Sequence, residues 1–180
     1  MFPWFALRVR ANFEQLIATS LSHKGYEQFL PLYTARRQWS DRVKESQKPL
    51  FPGYLFCRFD PAHRLPILKT PGVTGVVGIG KTLIPVEPHE LDVVRKVVES
   101  GLDSLPWPFL KAGQLVSLEY GPLAGIDGIV LSVKNRCKLV VSVTLLQRSV
   151  AVEIDSAWVQ ARSVPLNGYH SQATASGYRT

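Results

Sequence analysis

Between residues 115 and 159 the chain offers no stretch with a helical period. It offers five short runs rich in β-branched residues, at 115–120, 128–133, 139–145, 150–154 and 158–159, each separated from the next by turn residues. Strands so short gain little as isolated ribbons, and closing them into a small barrel removes their exposed edges. Just before them, the segment from Gly101 to Gly113 carries Pro106 and Pro108, which rule out a continuing helix or a central strand. Two units are therefore expected: residues 1–103, then a Pro-rich linker over 104–112 and a barrel over 113–161. Residues 162–180 show no apolar periodicity and read as a disordered tail.

The first unit mixes both periods. Residues 4–9 read as a strand. Asn12 and Gln15 resemble a capping box, followed by Phe13, Leu16, Ile17 and Leu21 at helical spacing and Gly25 as the stop. Residues 26–33 read as a strand interrupted by Pro31, and residues 36–48 as a solvated basic hairpin. The aromatic and aliphatic run over 50–59 is the best strand of this half. A short helix follows Asp60-Pro61, short strands lie at 73–77 and 82–86, and Glu87-Pro88 opens a helix with Leu91, Val94, Val97 and Val98 on its apolar face. The sum is an α+β domain, a small antiparallel sheet flanked by helices, followed by an all-β barrel.

Composition narrows the function. With 180 residues the chain is too short for a multidomain enzyme carrying a cofactor domain. Its 21 Lys and Arg against 14 Asp and Glu give a net charge of +7, which biases it toward polyanions. Cys57 and Cys137 belong to no metal-ligand or disulfide pattern and read as reduced, half-buried thiols. The start has its arginines after a short apolar run, the reverse of a signal peptide, and no run approaches the ~20 residues that span a bilayer. An intracellular, cytoplasmic protein is expected.

One motif misleads. Gly75-Val-Val-Gly-Ile-Gly80-Lys81-Thr82 satisfies the phosphate-loop pattern, but that chemistry needs a helix starting at Gly-Lys-Thr, and Pro85 and Pro88 fall where its turns would run. A glycine-rich hairpin is the better reading, and not an ATPase. His23, His63, His89 and His170 form no metal-ligand spacing, and no nucleophile or acidic pair stands in a catalytic arrangement. No enzyme, cofactor or metal is expected. The histidines read as surface residues, with DNA contact by His23 as the sharper alternative.

Two segments carry a resemblance. Val116-Ser-Leu-Glu-Tyr-Gly121-Pro122-Leu-Ala-Gly125-Ile-Asp-Gly128-Ile-Val130 feeds alternating apolar residues into a Gly-Pro turn with further glycines before the next strand. It resembles the KOW motif of SH3-like, five-stranded barrels. Phe51-Pro52-Gly53-Tyr54 resembles the signature of the NusG N-terminal domain, and the rest of that pattern follows in order: Trp4, Pro71-Gly72-Val73, the Gly-rich hairpin, Ile84-Pro85-Val86 and the barrel. Over residues 1–161 the chain is similar to the NusG family of transcription elongation factors. Leu50-Phe-Pro-Gly-Tyr-Leu-Phe-Cys-Arg-Phe-Asp60-Pro61 looks closest to the specialised paralogues, such as RfaH and the capsule-cluster antiterminators.

The resemblance implies RNA polymerase as partner. The clamp helices of its largest subunit are expected in a depression bordered by Trp4, Phe51, Pro52 and Tyr54. Upstream or non-template DNA is expected at Arg8, Arg10, His23, Lys24 and Lys69. A small-subunit ribosomal protein is expected at Leu145, Leu146 and Arg148, where Leu145-Leu146-Gln147-Arg148 replaces the Ile-Phe-Gly-Arg of housekeeping members. Without the aromatic and glycine, Rho is not expected as a partner. RfaH carries a His-Thr-Thr-Thr stretch that here reads His63-Arg64-Leu-Pro-Ile-Leu-Lys69-Thr70. A monomer with a flexible linker is expected, and no membrane. The alternative, a KOW-containing RNA-binding or ribosome-associated protein, draws on the charge, but the barrel holds few of the basic residues.

Overall fold

A computed structural model describes residues 2–38, 43–108, 114–133 and 136–160. The first unit is a four-stranded antiparallel sheet in the order β2-β5-β1-β6, built from β1 (Trp4–Val9), β2 (Glu27–Phe29), β5 (Tyr54–Arg58) and β6 (Val73–Val76). Strand alternation gives β1 two apolar faces. Phe5, Leu7 and Val9 pack with Leu55, Cys57 and Phe59 beneath helices α1 (Glu14–His23) and α2 (Leu65–Leu68), through Ile17, Ala18, Leu21 and Ile67. Trp4 and Ala6 face the other way, with Phe56 and helix α3 (Pro88–Glu99). β3 (Leu32–Gln38) and β4 (Val43–Pro49) form a separate ribbon, and β7 (Gly78–Ile79) and β8 (Thr82–Leu83) a tight hairpin. That hairpin occupies the phosphate-loop-like segment, and the next helix starts only at Pro88.

Several local expectations change. α1 has no capping box: its N-cap is Phe13 without a side-chain bond, and Asn12 adopts φ 66 in the preceding turn, so the acid at the helix start is Glu14. The run over 50–59 is not one strand. Residues 51–54 form a type II turn, with the Tyr54 N–H donating to the Phe51 carbonyl at 3.0 Å, Pro52 second and Gly53 third at φ +80. A 3₁₀ turn, Pro61–His63, precedes α2, capped by Asp60, whose side chain accepts the Ala62 N–H. His63 contacts the same carboxyl at 2.8 Å, and these contacts hold Asp60 below its ordinary value. The strand expected over 82–86 is limited to β8.

The second unit is a six-stranded antiparallel sheet in the order β14-β10-β11-β12-β13-β9. Its strands are β9 (Ser104–Pro108), β10 (Gln114–Leu118), β11 (Asp127–Val133), β12 (Arg136–Val143), β13 (Arg148–Ile154) and β14 (Val159–Gln160). The sixth strand comes from the segment read as a linker. Pro106 and Pro108 stand opposite Val150 and Arg148 on β13. They alternate, so their nitrogens, which lack N–H groups, fall on the outer side of an edge strand, where prolines are tolerated. Gly121, at φ +82, ends β10's turn; a Cβ there would lie 2.7 Å from the Trp158 ring, so the indole needs a glycine beneath it.

The two units are not loosely joined. α3 packs against β12, and a single apolar cluster runs from Trp4, Phe51 and Phe56 through α3 to Leu139, Val141, Val150 and Val152. This explains a further difference: α3 buries Leu91, Val93, Val94 and Val97, whereas Val98 is half-buried. At 100° per residue, Val93 lies toward Glu90 and Val97, the side that meets the second unit. The tail expected over 162–180, with His170, and residues 39–42 of the expected basic hairpin lie outside the described residues.

Candidate functional site

The register of the first sheet decides which side chains share a surface. Trp4 stands opposite Arg58, Ala6 opposite Phe56, and Arg8 opposite Tyr54; on the far side of β5, Glu27 meets Arg58 and Phe29 meets Phe56. Directly opposed residues point the same way. One face therefore carries Trp4, Phe29, Phe56 and Tyr54 in adjoining rows. The Phe29 and Phe56 rings stack at 6.1 Å, and Phe51 meets Phe56 edge-on at 5.8 Å.

The four aromatic-patch candidates are unequal. Tyr54 is half-buried and Pro52 exposed, but Trp4 is 8% exposed and Phe51 only 1%. Phe51 belongs to the core that supports the surface. Trp4 is bracketed by cations, with the Arg58 guanidinium 4.9 Å and the Arg95 guanidinium 4.8 Å from its ring. Arg58 also donates to Glu27 at 2.7 Å, while Arg95 lies 4.5 Å over Phe29. Phe56 was legible in the strand alternation of Tyr54 and Phe56. Arg95, on α3, was not, because its approach to Trp4 exists only after the helix docks.

Of the basic candidates, His23 and Lys24 lie at the end of α1 and Lys69 at the end of α2, whereas Arg8, opposite Tyr54, shares the face of Trp4 and Tyr54. Arg8, Arg10, His23, Lys24 and Lys69 are all exposed, and none of them forms an ion pair among the described residues. The segment after α2 brings several together. Arg10 N–H donates to the Gly72 carbonyl at 2.8 Å, and Lys24 Nζ donates to Thr70 Oγ1 at 2.7 Å, with Lys69 adjoining. The Arg10 guanidinium lies 4.5 Å over the Phe13 ring. This surface is positive and uncompensated, a fit to a polyanion.

In the second unit, Leu145 is half-buried, Leu146 is 7% exposed and Arg148 is exposed. They sit on a 3₁₀ turn, Thr144–Leu146, that ends at Gln147 with φ 51. The turn lies against α3, because both Glu90 carboxylate oxygens accept the Thr144 N–H at 3.1 Å. No group of His, Cys, Asp and Glu that could hold a metal occurs among the described residues, and none of their helices is long and apolar enough to cross a membrane.

Comparison with known proteins agrees with this layout. The family model described as transcription termination factor nusG matches residues 2–95. The chain is 33% identical over 168 residues to the transcription termination/antitermination protein NusG of Thermus thermophilus, covering 84% of this chain and 90% of the relative. It is 25% identical over 172 residues to the protein of the same name from Escherichia coli, covering 87% and 94%. The fold matches the solved structure "Domain interaction in Thermotoga maritima NusG" with a TM-score of 0.58 and 17% identity, covering 89% of this chain and 97% of that one. The chain belongs to the NusG family.

Proposed function

We propose that this chain is a transcription elongation and antitermination factor that binds RNA polymerase and acts by docking, without chemistry. The observation that carries the reading is the rim of the Trp4, Phe56 and Tyr54 face at the Phe51–Tyr54 turn, where Pro52 is exposed and Tyr54 half-buried, while Trp4, Phe56 and Phe51 are buried against the core. A partner helix laid along such a face is held by a few aromatic anchors. The partner is the clamp helices of the largest polymerase subunit; bridging the clamp disfavours the opened, paused state, a shift of populations. Arg8, Arg10, His23, Lys24 and Lys69 face upstream or non-template DNA and add a salt-dependent term.

The second unit is the KOW barrel of this factor. Leu145, Leu146 and Arg148 form its contact for a small-subunit ribosomal protein, and the missing aromatic-glycine pair removes Rho. On these grounds the chain is a specialised cytoplasmic paralogue, not the housekeeping factor. Capture of bacterial core RNA polymerase, followed by a pausing assay with wild type and Tyr54→Ala, tests the reading. Retention of polymerase and altered pause lifetimes, both lost in the variant, are expected. A chain that shifts bare RNA in a gel and ignores polymerase would instead be an RNA-binding protein.

A further inference from the structure

The Phe51–Tyr54 turn raises a hydrogen-bonding question that its own residues do not answer. In a type II turn the peptide between the second and third residues is flipped, so the third residue's N–H finds no partner inside the turn. A part-buried N–H left so would be costly. Here the third residue is Gly53, and its N–H donates to Glu14 Oε1 at 2.9 Å. The Gly53 carbonyl in turn accepts the Val9 N–H at 2.9 Å. Gly53 is thus pinned from both sides, by α1 through its N–H and by β1 through its carbonyl.

Glu14 is an unusual choice for an ordinary helix start. It is 3% exposed, one of three buried polar residues among those described, in a first turn that has no side-chain cap. The free N–H groups at a helix N-terminus favour a negative charge, which makes burial of the carboxylate tolerable. What the burial achieves is reach across 39 positions of sequence to one amide.

We propose that Glu14 is a positioning residue for the docking surface, setting the orientation of the turn that presents Pro52 and Tyr54. This rests on the polymerase-docking reading above. Two conservative variants separate the role from plain helix stabilisation. Glu14→Asp keeps the acid at the helix start but loses a methylene of reach; Glu14→Gln gives up the charge but keeps an oxygen that can accept the Gly53 N–H. Helix stabilisation alone favours Asp over Gln. Positioning of the turn favours Gln over Asp.

The experiment measures binding of the full chain to bacterial core RNA polymerase, with amide hydrogen exchange at Gly53 and thermal midpoints followed in parallel and Tyr54→Ala as control. Glu14→Asp should speed exchange at Gly53 and weaken binding by about tenfold, as loss of one hydrogen bond to a charged group allows. Glu14→Gln should bind within about twofold of wild type. Asp binding like wild type, Asp and Gln weakening alike, or an Asp variant that fails to fold would each overturn the positioning role. If Tyr54→Ala also binds like wild type, the docking reading itself fails, which is a distinguishable result.

Discussion

Glu90 on α3 receives the backbone N–H of Thr144 on both carboxylate oxygens, at 3.1 Å each, and so fastens the turn after β12 to the first unit. The sequence suggested two units on a flexible tether; the packing of α3 on β12 makes them neighbours. Glu90→Ala should cost about 1 kcal/mol, as loss of one partly exposed charged hydrogen bond does. Amide exchange at Thr144 should accelerate and the radius of gyration from X-ray scattering should rise. Unchanged exchange and size would show that the contact carries no weight in solution.

Phe51 and Tyr54 adjoin in the chain but should respond differently to truncation. Phe51 is 1% exposed against Phe56, so Phe51→Ala should destabilise the fold by about 3–5 kcal/mol. Tyr54 is half-buried on the proposed docking face. Tyr54→Ala should leave most of the stability and weaken polymerase binding by about 1–3 kcal/mol. Denaturant unfolding and a binding titration separate the two; a Phe51→Ala chain as stable as wild type would contradict the core assignment.

Gln147 occupies a left-handed conformation, φ 51, where the resemblance places a glycine in housekeeping members. Its side chain offsets part of the strain by donating to the Thr144 carbonyl at 2.8 Å. Gln147→Gly should therefore stabilise the chain modestly, by about 0.5–1 kcal/mol, because glycine reaches this region without a Cβ clash. A lower melting temperature in the variant would mean that the side-chain bond outweighs the strain.

Cys57 lies in the core under α1, and burial first, then the charge of Glu27, pushes its thiol from 9.0 up to about 12. The native state thus favours the protonated thiol. Its contribution to stability is complete below pH 9.0, where the unfolded chain begins to ionise, and is lost as pH rises toward about 12. Thiol labelling of the native protein at mild pH should modify half-buried Cys137 well before Cys57. Urea unfolding at about pH 8 and about pH 10.5 should show a larger loss in wild type than in Cys57→Ala. Equal losses would remove Cys57 as the cause.

The sequence by itself determined the mix of helices and antiparallel strands ahead of an all-β region, the alternation that gives β1 its two apolar faces, and the aromatic run around Phe51–Phe56. These are local properties: a period of two or 3.6 residues and the φ demands of proline and glycine act within a few positions. It also contained the Pro52-Gly53 pair that makes a type II turn, though the apolar run around it read as a continuous strand. Only the tertiary structure decided what Glu14, Arg95 and Glu90 do. Each is an ordinary charged helix residue in sequence, and each finds its partner far along the chain, at Gly53, Trp4 and Thr144, once helices have docked on sheets. The same holds for Pro106 and Pro108, which read as a linker until β13 supplies the edge beside which a residue without an N–H can lie. Partners brought together by packing leave no period in the chain, because their spacing is set by the fold and not by the backbone between them.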